Sequence, residues 1–152
     1  MESNSLKAKI LELVPEAQQV ENKQFPAFLI PPGKLKALAT SLKEDKDLDF
    51  DYLFCLSGVD WGTELGVVYH LTSTYHNHTL ELKVKTSDRE TPEIETVSDL
   101  WKTADFFERE VWDLFGIRFK GHPDLRRIFL EESWVGYPLR KDYKDDINIV
   151  EL

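Results

Sequence analysis

Residues 52–85 read YLFCLSGVDWGTELGVVYHLTSTYHNHTLELKVK, and they contain three short runs with the composition of β-strands. The first run, residues 52–59, is almost wholly apolar, which predicts a central strand buried on both faces. In the last run, residues 80–85, leucine and valine alternate with charged residues, as in a strand with one exposed face. The connections at residues 62–66 and 76–78 are short, so the three strands are predicted to form an antiparallel meander.

Helical patterns lie on both sides of this meander. Before it, apolar residues recur at helical spacing in residues 6–14 and 35–42, with a short strand-like run at 27–30 between them. After it, residues 98–115 carry another helical pattern, and Gly116 is placed to end it. The order α-β-α-β-β-β-α predicts a two-layer α+β domain, in which helices cover one face of a mostly antiparallel sheet.

The pattern changes beyond residue 127. Residues 128–152 show neither a 3.6-residue period nor a sustained two-residue period, and glycine and proline interrupt them. The sequence therefore predicts one α+β domain over residues 1–127 and an irregular extension over residues 128–152. Large aromatic and basic side chains are typical of interfaces. We expect this extension to be extended and partly mobile until a partner binds it through Trp134, Tyr137, Arg140, Lys141 and Tyr143.

Composition argues against several classes of function. The 152 residues carry a formal net charge of −9, and nucleic-acid binding needs clustered lysine and arginine. One cysteine, Cys55, allows no internal disulfide and supplies too few thiolates for an iron–sulfur cluster; within its apolar run it is expected to be buried and inert. No run approaches the ~20 apolar residues of a membrane span, and no signal peptide is recognisable. We expect a chain that reaches a membrane only through a partner.

Residues 108–127, EREVWDLFGIRFKGHPDLRR, concentrate the charged side chains. On a helical wheel Glu108 falls on the apolar side. Because burying an unpaired carboxylate costs several kcal/mol, we expect Glu108 to pair with Arg126 or Arg127. Arg109 and Asp113 fall on the opposite arc, where they are predicted to form an exposed i, i+4 pair.

Two chemical hypotheses compete with a purely structural one. A general acid–base cluster of Glu108, Glu110, Asp113 and His122 is conceivable, but no nucleophile motif accompanies it. His76 and His78 could bind a metal, but no third ligand stands at a recognisable spacing. We therefore favour an ion-pair network that ties an irregular segment to a helix and consists of Glu108, Arg109, Glu110, Asp113, His122, Asp124, Arg126 and Arg127.

Several blocks of this region together resemble the signature of the 30-kDa subunit family of respiratory complex I, whose bacterial members are the C subunits of NADH-quinone oxidoreductase. The blocks are ERE (108–110), DLFGI (113–117), GHPDLRRI (121–128), WVG (134–136) and PLRKDY (138–143). Two positions depart from the family pattern: Tyr137 stands where histidine is usual, and Lys144 where proline is usual.

The resemblance implies a specific role. Members of this family carry no cofactor and no catalytic residue of their own; FMN and the iron–sulfur clusters belong to other subunits. They lie in the hydrophilic arm, against the large quinone-site subunit and near the ferredoxin-like subunit with two clusters. The complex passes electrons from NADH to quinone and pumps protons. The expectation is thus a cofactor-free structural subunit, peripheral on the cytoplasmic side of the cell membrane.

Three alternatives remain open on the sequence alone. The chain could be the equivalent subunit of a membrane-bound hydrogenase or of another donor-fed, quinone-reducing complex, since other subunits select the electron donor. It could instead be a stand-alone enzyme that uses the acidic cluster. It could also be a homo-oligomeric binding module unrelated to respiration.

Overall fold

The computed structural model describes residues 3–144. In chain order its elements are α1 (Ser3–Leu13), β1 (Gln18–Val20), β2 (Ala27–Leu29), a 3-10 turn (Pro32–Lys34), α2 (Leu35–Glu44), β3 (Tyr52–Asp60), β4 (Leu65–Ser73), β5 (His78–Thr86), β6 (Glu93–Glu95), α3 (Lys102–Phe115) and β7 (Arg118–Lys120). Residues 145–152, which complete the predicted extension, lie outside the described residues. No helix within residues 3–144 is both long and apolar enough to cross a bilayer.

The α+β architecture is confirmed. Strands β3, β4 and β5 form the predicted antiparallel meander, in which Tyr69 of β4 lies between Leu56 and Leu82. Strand β2 pairs in parallel with β5, and β1 pairs antiparallel with β2, which gives a five-stranded sheet of order β1-β2-β5-β4-β3. Strands β6 and β7 form a separate parallel pair.

Helices α1 and α2 cover one face of the sheet. Leu80, Leu82 and Val84 of β5 are fully buried, whereas Lys83 and Lys85 on the other face are only half-buried. The core face packs against the buried residues of the two helices, namely Leu6, Ile10, Leu35, Leu38, Ala39 and Leu42. The apolar side chains that recur every two residues in the strand and every 3.6 residues in the helices thus pack in one core.

The prediction of a central strand at residues 52–59 is wrong. Strand β3 lies at the edge of the sheet, with Tyr52 46% and Phe54 38% exposed. Its register shifts between Leu53 and Cys55, and Cys55 is only partly buried, contrary to the expected buried thiol. A run of apolar residues indicates that both faces of a strand avoid water. It does not indicate whether residues of the same chain cover both faces.

Strands β1, β6 and β7 escaped the sequence-based prediction because three residues are too few to show a period, whereas the short strand β2 falls in the predicted run 27–30. Strands β6 and β7 lie before and after helix α3 in the chain. The helix begins after Trp101. The indole Nε1 of Trp101 donates to Phe50 O at 2.9 Å. The helix ends at Gly116, as predicted, with φ +73°. From residue 121 to residue 144 the chain contains no helix or strand.

Candidate functional site

Asp113, near the end of helix α3, organises the chain that follows the helix. Its side chain is fully buried. Oδ2 accepts hydrogen bonds from the backbone N–H groups of Ile128, Phe129 and Leu130 at 3.1, 2.7 and 3.1 Å, and Oδ1 accepts one from Arg127 Nη1 at 3.1 Å. Burial opposes ionisation, but these four donors together hold the pKa of Asp113 below its usual value.

Arg127 joins the same helix end to a later part of the chain. Its side chain is almost entirely buried beside Asp113. The second guanidinium nitrogen, Nη2, donates to Trp134 O at 3.1 Å and to Gly136 O at 2.9 Å. A guanidinium presents several donors in a fixed plane, so one side chain positions both the helix and the turn at residues 134–136.

Tyr137 packs on the residue that ends helix α3. The guanidinium carbons of Arg127 and Arg140 each lie 5.1 Å from the centre of its ring. The ring covers Gly116 so closely that a Cβ there would come within 2.5 Å of it. Because Gly116 also has a positive φ, both the turn and the packing require glycine.

A third set of contacts fixes residues 140–141 to the end of strand β3. Arg140 donates to Phe115 O at 2.6 Å and to Arg89 O at 2.9 Å. The Lys141 N–H donates to Asp60 Oδ2 at 2.9 Å, and Arg89 forms a two-pronged pair with Asp60 at 2.8 and 2.9 Å. The hydrogen-bonded Arg89 guanidinium holds the pKa of Asp60 well below its usual range.

We call residues 127–141 the C-terminal clamp. The clamp is irregular, and it lies against helix α3 and strand β3. The sequence-based expectation was an extended segment that orders only on a partner. Trp134 is half-buried, with its indole N–H enclosed and without a hydrogen-bond partner among the described atoms. The clamp leaves apolar side chains exposed, with Phe129 60%, Val135 89% and Leu139 53% accessible.

Glu108 is fully buried, as predicted, but its predicted partners are wrong. Its carboxylate accepts hydrogen bonds from the Thr96 hydroxyl and from the Val97 N–H at 3.0 Å. Neither Arg126 nor Arg127 contacts it. Glu108 faces the core side of helix α3, and sequence spacing alone did not reveal that the chain after β6 passes there.

Burial raises the pKa of Glu108 to about 7, and its two hydrogen bonds offset only part of that effect. The Tyr69 hydroxyl is also fully enclosed and has no hydrogen-bond partner within residues 3–144. Burial, and secondarily the charge of Glu108, raise the pKa of Tyr69. The Thr96 hydroxyl contacts the hydroxyl of half-exposed Ser98 at 2.8 Å, so hydroxyl groups connect Glu108 to the surface.

The predicted pair of Arg109 and Asp113 does not form. Arg109 donates instead to the carbonyl oxygens of Arg126 and Arg127, both at 3.3 Å. Asp113 is buried on the side where the chain after residue 127 returns, which a helical wheel of α3 alone could not show. Arg126 pairs with exposed Asp124, Nε to Oδ2 at 3.0 Å.

His122 holds the turn before the clamp. Its Nε2 lies 3.1 Å from Asp105 O and 3.2 Å from Asp105 Oδ1, and its Nδ1 accepts the Asp124 N–H at 3.0 Å. This pattern requires the proton on Nε2.

The structure does not assemble the hypothetical acid–base cluster. Glu108 faces the core, Asp113 is saturated by the clamp, and His122 bonds to Asp105. Glu110 lies in a groove beside strand β3. The four side chains therefore point to different surroundings and share no reaction site.

The two histidines at the β4–β5 turn do not form a metal site either. Their rings stack with centroids 5.5 Å apart. Nε2 of His76 lies 2.7 Å from Lys46 O, and Nε2 of His78 lies 2.9 Å from Leu48 O. In the described part of the chain, no group of three or more His, Cys, Asp or Glu side chains is arranged to hold a metal ion.

Asp60 and Arg89 were not singled out in the sequence, although they anchor the clamp. They are 29 residues apart, and each looks like an ordinary charged residue beside a strand. The only local signal was an aspartate directly after an apolar run, which is common at strand ends.

Comparisons with known proteins agree on one family. A family model described as the 30 Kd subunit of respiratory-chain NADH dehydrogenase matches residues 28–147. An NADH-quinone oxidoreductase C/D subunit of Phocaeicola vulgatus is 52% identical over 124 residues, which cover 81% of this chain and 24% of that protein. The C subunit of Chloroherpeton thalassium is 52% identical, covering 72% of this chain and 46% of that protein. The C 2 subunit of Rhizobium meliloti is 42% identical, covering 80% and 70%.

The chain therefore spans about a quarter of the C/D relative and about half of the relative from Chloroherpeton thalassium. Among solved structures, it matches a chain of the membrane-bound sulfane sulfur reductase, described as an archaeal respiratory membrane complex. The TM-score is 0.72 and the identity 27%, and the match covers 93% of this chain and 85% of that chain.

Proposed function

The chain belongs to the family of the 30-kDa subunit of respiratory-chain NADH dehydrogenase, and from that premise we propose that it is a structural subunit of an NADH:quinone oxidoreductase. In this proposal it carries no cofactor and no catalytic residue. It supports electron transfer from NADH to quinone by holding the subunits that carry the quinone site and the iron–sulfur clusters in place.

The observation that supports this role is that the signature residues make structural hydrogen bonds. Asp113, Arg127 and Arg140 direct their hydrogen bonds to backbone groups of the clamp and of the helix end beside it. A catalytic group needs a free proton acceptor or donor at a site that substrate can reach, whereas these groups are saturated. Their arrangement gives an irregular segment a fixed shape, which is what a docking surface requires.

The clamp also presents apolar side chains that the domain does not cover. Phe129, Val135 and Leu139 are each more than half exposed, and apolar surface that a domain leaves uncovered is a feature of protein interfaces. We propose that the clamp is the partner-binding surface, with Lys141 as an exposed charge on it. Of the other interface residues expected from the sequence, Tyr137 packs on Gly116 and Arg140 donates to Phe115 O, so both stabilise the clamp.

We propose the large quinone-site subunit as the chief partner and the two-cluster ferredoxin-like subunit as a neighbour. The C/D relatives support the first choice, since one chain there bears the designations of two subunits. FMN and the iron–sulfur clusters would reside in partner subunits. The chain would be peripheral, on the cytoplasmic side of the cell membrane, and attached through the complex.

The test is affinity purification of the tagged chain from native membranes. We expect a quinone-site subunit and a ferredoxin-like subunit to co-purify. Val135→Asp should reduce their recovery, whereas Tyr75→Asp, at a similarly exposed position on the β4–β5 turn, should not. Recovery of the chain without any redox subunit, or turnover of a substrate by the chain alone, would contradict the proposal.

A second candidate is the equivalent subunit of a complex with another electron donor. The observation that favours it is the structural match to a membrane-bound sulfane sulfur reductase. The same purification distinguishes the two, because a co-purifying flavin- and NADH-binding subunit supports the first. A nickel-site subunit, or another donor-specific subunit in its place, supports the second.

A further inference from the structure

Strand β3 forms one edge of the five-stranded sheet, and its outer side pairs with no strand in residues 3–144. Helix α3 lies beside this edge. The Thr103 hydroxyl donates to Leu53 O at 2.7 Å, and the Phe115 ring packs on Gly58. These contacts occur in the same order along both elements, so helix and strand run side by side and leave a groove between them.

The groove has two cavities along its length. One, of about 330 Å³, has mainly apolar walls that include Cys55, Ser57, Phe107, Glu110, Leu114 and Leu139. The other, of about 350 Å³, lies at the beginning of β3 and is lined by residues that include Tyr52, Leu53, Lys102 and Thr103. Tyr52 and Leu139, which line these cavities, remain exposed, although exposed apolar edges promote unwanted pairing.

The two cavities differ in charge. Glu110 is the charged side chain of the first cavity, whereas Lys43, Asp51 and Lys102 all line the second. Within the described part of the chain, Glu110 makes no hydrogen bond or ion pair. The groove therefore has an unpaired carboxylate within mainly apolar walls at one end and charges of both signs at the other.

The length of the groove suits one form of ligand. Residues 52–58 span roughly 20 Å at about 3.3 Å per residue. An extended segment of six or seven residues would match that length. It could pair by strand addition, a common mode of peptide recognition, with the part of the β3 edge beyond Leu53, whose carbonyl oxygen already accepts the Thr103 hydroxyl.

We propose that this groove receives an extended, largely apolar segment of a partner subunit, which places a lysine or arginine near Glu110. The inference rests on the proposed function, because it locates a contact of a subunit in its complex. It extends the proposed partner surface from the clamp to the edge of β3, and the two surfaces share Leu139.

Site-specific photo-cross-linking in the assembled complex tests the inference. A photoreactive amino acid replaces exposed Ser57 in the groove, and a matched one replaces Glu12 on helix α1, which precedes the region matched by the family model. After irradiation and purification from native membranes, the Ser57 probe should cross-link to one extended, largely apolar segment of a redox-complex subunit that carries a lysine or arginine. The Glu12 probe should not reach that segment.

Charge reversal supplies the second measurement. Glu110→Lys should reduce recovery of the cross-linked subunit by about tenfold, as expected for loss of a desolvated interfacial charge pair. The opposite reversal of the partner's basic residue should restore recovery, which a merely unfolded variant could not achieve. Glu95→Lys, the same change at an exposed position on β6, should leave recovery unchanged.

The outcomes separate this inference from the function on which it rests. If redox subunits co-purify but the Ser57 probe labels none of them, the groove is not a partner site and the proposed function stands. Cross-links to a second copy of this chain, or back to the same chain, also overturn the inference. If no redox subunit co-purifies at all, the proposed function fails and the inference fails with it.

Discussion

At the scale of single residues, Glu108 couples the stability of the domain to pH. Its pKa is about 7 in the folded chain against an ordinary 4.5, so the folded state binds the proton more tightly than the unfolded state. The free energy of unfolding should therefore fall as pH rises from about 4.5 to 7, by about 3 kcal/mol for a shift of this size. Denaturant unfolding between pH 5 and pH 8 measures this.

Glu108→Gln should remove that pH dependence. The amide oxygen can accept the Val97 N–H, and the amide nitrogen can donate to the Thr96 hydroxyl, which can turn its own proton to Ser98. The variant should gain stability relative to the natural chain as pH rises, whereas Glu95→Gln at an exposed position should show no such trend. Parallel stability curves for the natural chain and Glu108→Gln would show that the buried carboxyl does not titrate in this range.

Asp113 is the residue on which the clamp depends. Asp113→Ala leaves three backbone N–H groups enclosed without their acceptor and removes the buried counter-charge of Arg127, and breaking a buried charge pair costs about 3–5 kcal/mol. Urea unfolding should show a loss of that size. Asp124→Ala removes an exposed carboxylate with an arginine partner and should change stability little; equal losses in both variants would contradict the assignment.

At the scale of elements, the clamp is a fixed part of the domain although it contains no helix or strand. The Leu139 N–H donates to Leu114 O at 3.0 Å, and the Lys141 N–H donates to Asp60 Oδ2. Hydrogen exchange of the isolated chain should therefore be slower at these two amides than at exposed Glu132 and Ser133. Backbone groups that have found acceptors exchange only when the segment opens.

Asp60→Ala provides the matched perturbation of the clamp. It should speed exchange at Lys141 and Leu139 while leaving the amides of strand β5 protected. Fast exchange across residues 134–141 in the natural chain would instead support the sequence-based expectation of a segment that orders only on a partner.

At the scale of the whole molecule, we expect the purified chain to have no chromophore other than its aromatic side chains. The sequence contains one cysteine, and residues 3–144 present no metal-binding group of three or more ligands. Absorption spectroscopy and elemental analysis after purification without added metal provide the measurement. A visible absorption band, or iron or zinc in stoichiometric amount, would contradict the cofactor-free role.

Local patterns were sufficient for much of the fold. The alternation in residues 80–85, the helical spacing in residues 35–42 and the placement of Gly116 each express one element's own geometry, so they can be recognised without the rest of the chain. Strands β1, β6 and β7 have three residues each, and no period can be seen over that length.

The sequence by itself determined the α+β class, the antiparallel meander, the burial of Glu108 and the family signature, because each is written in the spacing of neighbouring residues. Only the tertiary structure decided which charges meet. Asp113 rather than Glu108 receives Arg127, and Asp60 receives Arg89 from 29 residues away. A helical wheel tells which side of a helix is apolar, but the return path of the chain selects the donor that reaches each carboxylate. The same reason applies to strand β3, which stays at the edge because β1 and β2 join the sheet beside β5 and not beside β3.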